Sequence, residues 1–436
     1  MKELIKGAQA VLKNNWMGGY TRPSALLYPH QWSWDSAFIA IGYSTFDEHR
    51  AQTELLSLFR GQWKNGMIPH IVYSPNPSDA YFPDAEFWNT TSSKQAPSGL
   101  QTSGITHPPV HATAALTIYN RAKNRRSALE FLKEIFPNLL ASHRFFHTIR
   151  DPLGEGLAYI RHPWASGLDN SPTWDIPLQR IELGDTPGFE RKDLRGVPLE
   201  ERPRDWDYNR YIYLVELFKE HSYDEAELFK SCPFLLQDPL VNSILVKADS
   251  DLAGIAEILG EDPSEIRGWE EKTKKAINKK LWHRGHGFYD AYDLRADEMI
   301  EVDTASGFVP LYGGIPTRSQ ARKLYKYLDS KSFCSIHEKK CFSIPNYNRE
   351  GVHFDPVNYW RGPIWINMNW IIMQGLRRYD YVDKADSVKA DIIELVRRYG
   401  FHEYYDPFKG RGYGSTDFSW TAALFLDTVF DDEKIQ

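Results

Sequence analysis

The sequence predicts an all-α fold on three observations. Apolar residues recur at helical spacing from one end of the chain to the other. Strand-like stretches are few, and the segments between the helical stretches are rich in aromatic residues, Gly and Pro. Helices joined by long loops are typical of proteins whose loops build a binding site at one end.

Ten stretches have the apolar spacing of a helix. In chain order they are residues 35–59, 110–123, 127–149, 208–222, 238–259, 264–281, 317–328, 358–378, 384–399 and 415–430. The first begins at Trp32 to Asp35, where Asp35 suits an N-cap, and Gly400 ends the ninth. The strand-like pieces are residues 68–73 and a hairpin over residues 287–293.

We expect a single domain over residues 1–436. Pro and Gly are spread along the chain, and no low-complexity linker interrupts it. No short sequence repeat indicates a solenoid of the familiar classes. A toroid of helix pairs is compatible with this pattern, because it needs no strong sequence repetition.

The composition narrows the class of ligand and the compartment. A net charge of −6 gives no electrostatic reason to expect nucleic acid binding. Aromatic residues make up 14% of the chain, which fits either a sugar-binding surface or a large aromatic core. Three Cys, an N-terminus without an apolar leader and the lack of any apolar run of membrane-spanning length predict a cytoplasmic protein.

Two acidic segments stand out by their aromatic and turn-forming neighbours. Asp169 lies in residues 166–172 (Ser-Gly-Leu-Asp-Asn-Ser-Pro), and Glu403 lies in residues 402–407 (His-Glu-Tyr-Tyr-Asp-Pro). Cleavage of a glycosidic bond requires two carboxyl groups on opposite sides of one sugar. The pair therefore predicts a general acid and a general base, although Asp169 alone also fits a turn-forming role and Glu403 a surface ion pair.

A third feature is the crowding of Arg202, Arg204 and Arg210 around aromatic residues. Such loops are commonly solvated and salt-bridged, but Arg also binds carboxylates in a bidentate manner, which predicts a clamp for an anionic aglycone. Phosphate-binding, dinucleotide-binding and α/β-hydrolase motifs are missing from the sequence. The His residues lack the H-E-x-x-H type of spacing, so we expect no metal or cofactor in the chemistry.

Taken together, these motifs resemble glycoside hydrolase family 63, in the compact branch of mannosylglycerate and glucosylglycerate hydrolases. The resemblance runs from about Trp16 to Val429. It rests on residues 19–20 (Gly-Tyr), 28–38 (Tyr-Pro-His-Gln-Trp-Ser-Trp-Asp-Ser-Ala-Phe), 66–70 (Gly-Met-Ile-Pro-His), 166–172, 359–363 (Tyr-Trp-Arg-Gly-Pro) and 403–407.

The resemblance implies an (α/α)6 barrel and an inverting glycosidase with Asp169 as general acid and Glu403 as general base. It assigns substrate contacts to Tyr28, Trp32, Trp34, Asp35, Gln101, Arg204, Tyr208, Tyr359, Trp360 and Arg361. Arg202 and Arg210 are the alternatives to Arg204 as the partner of a glycerate carboxylate. His107 stands where related enzymes often have Gln, so the preference between mannose and glucose stays open.

Three other functions stay open at this point. They are a hydrolase of neutral disaccharides similar to α-glucosidase or trehalase, a sugar-binding toroid without catalysis, and an epimerase-type toroid. The expected partner is a small glycoside with a carboxylate aglycone, with neither nucleic acid nor membrane involved. A homodimer is one option for the oligomeric state.

Overall fold

The computed structural model describes residues 1–75, 81–184, 188–338 and 341–433. Within these ranges the chain is rich in helix and poor in strand, as predicted. The α-helices are α1 (Lys2–Asn14), α2 (Ser33–Tyr43), α3 (Glu48–Phe59), α4 (Ala85–Trp88), α5 (His111–Arg121), α6 (Arg125–Arg144), α7 (Pro163–Ser166), α8 (Asp175–Gln179), α9 (Asp205–Glu220), α10 (Glu225–Ser231), α11 (Pro239–Leu259), α12 (Ser264–Ala276), α13 (Pro310–Gly313), α14 (Arg318–Leu328), α15 (Ile366–Arg378), α16 (Val382–Tyr399) and α17 (Ser419–Glu433).

Short 3₁₀ or π segments extend or join some of these helices: Thr90–Ser92, Phe145–Ile149, Pro172–Trp174, Leu199–Glu201, Ile277–Leu281, Ala305–Phe308 and Lys331–Phe333. The strands are β1 (Gln31–Trp32), β2 (Ile71–Val72), β3 (Leu236–Gln237), β4 (Trp282–His283), β5 (Phe288–Tyr289), β6 (Ala291–Asp293), β7 (Glu298–Ile300), β8 (Tyr404–Tyr405) and β9 (Gly412–Tyr413). They pair antiparallel as β1–β2, β3–β6–β7, β4–β5 and β8–β9.

Six helices pack against one another in a closed ring. Helix α2 contacts α5, α5 contacts α11, α11 contacts α13, α13 contacts α15, α15 contacts α17, and α17 returns to α2. A second layer packs outside, with α1 on α17, α3 on α2, α6 on α5, α12 on α11 and α16 on α15. This alternation of inner and outer helices is consistent with an (α/α)6 barrel.

Several predicted elements differ from the structure in their boundaries. The stretch 35–59 is two helices, because Asp47 caps a new helix by accepting from the Arg50 amide at 3.1 Å. Helix α2 begins at Ser33, so Asp35 lies inside its first turn rather than at the N-cap. The predicted hairpin 287–293 is also wrong in detail, since β5 pairs with β4 and β6 with β3 and β7.

Two further differences are a helix that was not predicted and a helix that begins later than predicted. Helix α1, a polar N-terminal helix, lies outside the predicted stretches. The stretch 358–378 becomes helical only at Ile366, because Tyr359 has a positive φ of 40° and Pro363 follows. The segment from Tyr359 to Trp365 is therefore a loop.

Three remaining features concern the core and the surface. Buried apolar side chains form a cluster that includes residues from Ala8 to Val429. Cys334 and Cys341 form a disulfide bond, whereas Cys232 is buried and unpaired. In the described parts of the chain, no helix has the length and apolar character to cross a membrane.

Candidate active site

A cavity lies among the loops and first turns that connect the ring helices. Asp169 and Glu403, more than two hundred residues apart in the sequence, both line it. Most of the other lining residues are aromatic: Tyr28, Trp32, Trp34, Tyr81, Trp164, Tyr208, Tyr359, Trp360, Phe418 and Trp420. The two acidic segments of the sequence therefore meet at one aromatic cavity.

The turn that carries Asp169 is held through its backbone. Helix α7 ends directly before Gly167, whose φ of 74° is a left-handed conformation that Gly adopts without strain. The Tyr211 hydroxyl donates to the Asp169 carbonyl at 2.7 Å, and the Trp174 indole donates to the Leu168 carbonyl at 2.8 Å. These bonds fix the backbone and leave the Asp169 side chain directed at the cavity.

The Asp169 carboxyl has the environment of a proton donor. Burial raises its pKa to about 7, and the charges of Glu403 and Asp193 also raise it, while the charge of Arg202 opposes them. A carboxyl with a pKa near 7 is protonated for a large part of the time at neutral pH. Such a group is suited to general acid catalysis.

Glu403 lies in a contrasting environment, with hydrogen-bond donors on both oxygens. Tyr28 donates to Oε1 at 2.7 Å and Tyr359 at 3.2 Å. The Ser415 amide donates to Oε2 at 2.9 Å. Arg202 spans the two oxygens at 3.2 and 3.0 Å. Every one of these partners is a donor, which is the pattern that a carboxylate accepts.

Arg202 is the one Arg or Lys that lines the cavity within the described ranges. Its side chain is 1% exposed and lies over the Tyr359 ring at 4.8 Å. Burial lowers its pKa, but Glu403 and the surrounding tyrosines outweigh burial and hold the pKa well above its ordinary value. The cavity therefore contains a permanent positive charge beside Glu403.

Several residues that line the cavity carry buried polar groups. Burial raises the pKa of Asp35 well above its ordinary range, and the charges of the two candidate catalytic carboxyls add to this effect. The indole N–H groups of Trp360 and Trp420 and Nδ1 of His107 have no hydrogen-bond partner in the part of the chain that the structure describes. Burial lowers the pKa of His107 to about 3, so its ring is neutral. Most buried polar groups of folded proteins have a hydrogen-bond partner, so these three atoms are exceptions.

The loop that carries Trp360 is joined to the loop that carries Asp169. The Trp360 amide donates to Asn170 Oδ1 at 2.9 Å, and Arg361 donates to the Asn170 carbonyl at 3.2 Å. Trp360 also stacks on Trp365, with ring centroids 3.6 Å apart. A movement of either loop would therefore disturb both the candidate acid and the aromatic surface.

Most of the residues predicted to contact substrate line this cavity: Tyr28, Trp32, Trp34, Asp35, Tyr208, Tyr359 and Trp360. Gln101, Arg204 and Arg361 do not. Gln101 is exposed and lies in a separate depression beside Glu86 and Asn89. Arg361 forms an ion pair with Asp175 at 2.5 Å. Arg361 therefore supports the Asp169 loop through Asp175 and Asn170 and does not line the cavity.

Arg204 lies outside the cavity for a local reason. It occupies the N-cap position of α9, and its guanidinium folds back onto Asp207, with Nε and Nη2 both at 2.9 Å from the carboxylate. Its side chain is 54% exposed. Arg210 donates to the Leu178 carbonyl at 2.8 Å. Of the three clustered arginines, Arg202 alone is among the residues that line the cavity.

Some lining residues were not predicted to contact substrate, among them His70, Tyr81, Asp193 and Phe418. His70 belongs to a motif that the sequence singled out, residues 66–70, so its position could have been inferred. Asp193 pairs with Arg191 at 2.6 Å, and no local pattern distinguishes it from an ordinary surface ion pair.

Comparisons with known proteins identify the family of this chain. The profile described as "Mannosylglycerate hydrolase MGH1-like glycoside hydrolase domain" matches residues 28–421. The mannosylglycerate hydrolase of Rubrobacter radiotolerans is 48% identical over 433 residues, which cover 99% of this chain and 98% of that protein. The glucosylglycerate hydrolase of Mycolicibacterium hassiacum is 35% identical, over 98% of this chain and 97% of that protein.

A solved structure is also similar to this chain in both fold and sequence. The crystal structure of the GH63 mannosylglycerate hydrolase from Thermus thermophilus, in complex with Tris and D-glycerate, matches with a TM-score of 0.91 and 42% identity. The match covers 97% of this chain and 99% of that chain. The present chain therefore belongs to this family of GH63 glycoside hydrolases and is itself a glycosidase.

Proposed function

We propose that this glycosidase inverts the anomeric centre and cleaves mannosylglycerate, glucosylglycerate or both into hexose and glycerate. The observation that carries the proposal is the contrast between two carboxyls in one cavity. Burial raises the pKa of Asp169 to about 7, whereas Glu403 is surrounded by hydrogen-bond donors. This asymmetry suits one acid and one base.

The two groups would act in a single displacement. Asp169 gives its proton to the glycosidic oxygen as the bond from that oxygen to the anomeric carbon breaks. Glu403 takes a proton from a water molecule, which attacks the anomeric carbon from the opposite face. Inversion requires the two carboxyls to stand roughly 6.5–9.5 Å apart, so that the water fits between Glu403 and the sugar.

The contacts of Glu403 also indicate where that water would bind. A carboxylate offers about four lone-pair positions, whereas five donor contacts reach Glu403. The two longest contacts to Oε1 come from Tyr359 and from Nη1 of Arg202, both at 3.2 Å. The water would replace one of these, while Tyr28 at 2.7 Å and the Ser415 amide at 2.9 Å keep the carboxylate in place.

The proposed substrate class rests on the cavity and on the relatives. Trp34 and Trp360, with ring centroids 6.4 Å apart, offer aromatic surfaces to a hexose, and the Asp35 carboxyl offers an acceptor to its hydroxyls. Arg202 is the cation that a glycerate carboxylate would meet, in place of Arg204. Relatives named as mannosylglycerate and glucosylglycerate hydrolases align over nearly the whole chain.

A direct test combines a substrate panel with the anomer that forms first. The protein is incubated with mannosylglycerate, glucosylglycerate, trehalose and kojibiose, and NMR follows the released hexose before mutarotation. We expect release from a glycerate glycoside, with the β-hexose appearing first. An α-hexose as first product would contradict inversion. A preference for trehalose or kojibiose would mean that the leaving group is a neutral sugar and not glycerate.

A binding measurement separates the remaining alternatives. If no glycoside of the panel is cleaved and glucosylglycerate nevertheless binds in calorimetry, the chain is a sugar-binding protein on the same fold. Interconversion of free hexoses without hydrolysis would instead indicate an epimerase.

A further inference from the structure

A second cluster of chemically reactive side chains lies in the segment that contains β4 and β5. His283 ends β4, His286 lies in the turn, and Asp290 follows β5. One side-chain ligand atom from each of these three residues lies within 4.8 Å of the other two. None of them lines the candidate active site.

Asp290 is the unusual member of this cluster. The residue is 1% exposed, and both of its carboxyl oxygens are buried without a hydrogen-bond partner in the described parts of the chain. A buried polar atom without a partner destabilises the folded protein, and does so more strongly when it is charged. A neutral, protonated Asp290 would still lack partners for both oxygens. The cluster therefore needs a ligand that neither histidine provides.

Asp303 lies next to this cluster, beside His286. Its Oδ1 is buried without a hydrogen-bond partner and lies 3.4 Å from His286 Nε2. Its Oδ2 accepts from the Tyr327 hydroxyl at 2.5 Å and from Asn348 at 3.4 Å. One oxygen of Asp303 is thus held in place by neighbours, while the other lies beside His286.

We propose that His283, His286, Asp290 and Asp303 bind one divalent cation of the zinc class. Two imidazoles and two carboxylates form a typical ligand set for such an ion, whereas Ca²⁺ and Mg²⁺ prefer oxygen ligands throughout. Bonds of about 2.1 Å place the ligands of a tetrahedral ion about 3.4 Å apart. His286 Nε2 and Asp303 Oδ1 are 3.4 Å apart, and one ligand atom each of His283, His286 and Asp290 lies within 4.8 Å of the other two.

The bound ion would have a structural role. It would tie the segment containing β4 and β5 to Asp303, whose backbone carbonyl accepts from the Asn348 amide at 2.9 Å. Two residues before Asn348, Asn346 donates to the Trp360 carbonyl at 3.0 Å. The ion would thus support the segment that backs the Trp360 loop without contacting the substrate.

The test uses the full chain after treatment with a chelator. Calorimetric titration with Zn²⁺ is expected to find one ion per chain, and Co²⁺ is expected to give the visible absorption of tetrahedral coordination. Asp290→Asn and His286→Ala should each weaken Zn²⁺ binding at least about tenfold. Thermal unfolding should show that Zn²⁺ raises the Tm of the wild type and not of these variants.

Two controls keep the outcome decisive. His353→Ala removes an exposed imidazole outside the cluster and should bind Zn²⁺ as the wild type does. His286 is partly exposed, so its replacement reports on binding even if Asp290→Asn fails to fold. Failure of the wild type to take up Zn²⁺ would overturn the proposal. Undiminished binding in His286→Ala would also overturn it, because the ion would then lie elsewhere.

Discussion

Replacing Asp169 by Asn should stabilise the protein while it abolishes activity, and the stabilisation should depend on pH. The folded pKa of about 7 exceeds the ordinary value of 3.8, so the folded state retains a proton that the unfolded state releases. Below pH 3.8 this carboxyl does not change the free energy of unfolding of the wild type. As the pH rises from 3.8 towards about 7 the free energy of unfolding falls, and above about 7 the loss is complete.

The size of this effect follows from the pKa. One whole step in pKa corresponds to about 1.4 kcal/mol, so the rise from 3.8 to about 7 costs the folded state at most roughly 4 kcal/mol. Asn has nearly the same shape and never ionises. The gain of Asp169→Asn over the wild type should therefore grow from less than about 1 kcal/mol near pH 4 to roughly 4 kcal/mol near pH 8.5.

Urea denaturation at both pH values measures this gain, and glycoside hydrolysis measures the loss of activity. We expect kcat/KM of Asp169→Asn to fall by about 10²–10⁴. In the wild type, kcat/KM should decline above about pH 7, as the acid loses its proton.

Asp238 supplies a matched control. Burial also raises its pKa to about 7, and it caps α11 outside the cavity, a role that Asn fulfils as well. Asp238→Asn should reproduce the pH-dependent stabilisation and leave kcat/KM unchanged. A gain in Asp169→Asn that is the same at both pH values would refute the buried-acid reasoning, and an activity loss of less than about tenfold would refute the catalytic role.

Three further substitutions test the geometry of the site. Glu403→Gln should lower kcat by about 10²–10⁴ while substrate binding in calorimetry persists, and a smaller loss than that of Tyr28→Phe would exclude Glu403 as the base. Gly167→Ala should lower the free energy of unfolding by more than about 1 kcal/mol beyond the loss in Gly99→Ala, because both positions have positive φ but a Cβ at 167 would lie 2.5 Å from Trp34 Cζ2. Gly414→Ala should reduce kcat, because the new Cβ would overlap Glu403 Oε2. Gly400→Ala is its control, because Gly400 also has a positive φ and its Cβ would meet open space. Equal kcat in the two variants would show that the overlap with Glu403 does not affect catalysis.

The sequence predicted where single helices lie, but it did not predict where one helix ends and the next begins. The spacing of apolar residues predicted 238–259 and 317–328 within one residue of α11 and α14. The same spacing ran through the break at Asp47, because a capping side chain can start a new helix without interrupting the apolar pattern. Apolar periodicity therefore located helices better than it counted them.

The arginine cluster shows the limit for the candidate site. Arg202, Arg204 and Arg210 have the same chemistry and lie within nine residues. Only the point at which α9 begins decides among them, because the N-cap residue Arg204 folds back on Asp207 while Arg202, two residues earlier, reaches Glu403. A resemblance transferred by motif cannot resolve such a shift of two residues.

The ion pair of Arg202 with Glu403 has a consequence for the proposed substrate. A glycerate carboxylate that approached Arg202 would compete with Glu403 for the positively charged guanidinium. The guanidinium would then release one oxygen of Glu403 in part, and only with an anionic aglycone bound would Glu403 be free to bind the attacking water through that oxygen. Neutral disaccharides lack this effect, so their disadvantage should appear in kcat as well as in KM. A preference for glycerate glycosides that lay in KM alone would mean that Arg202 serves binding and leaves the base unchanged.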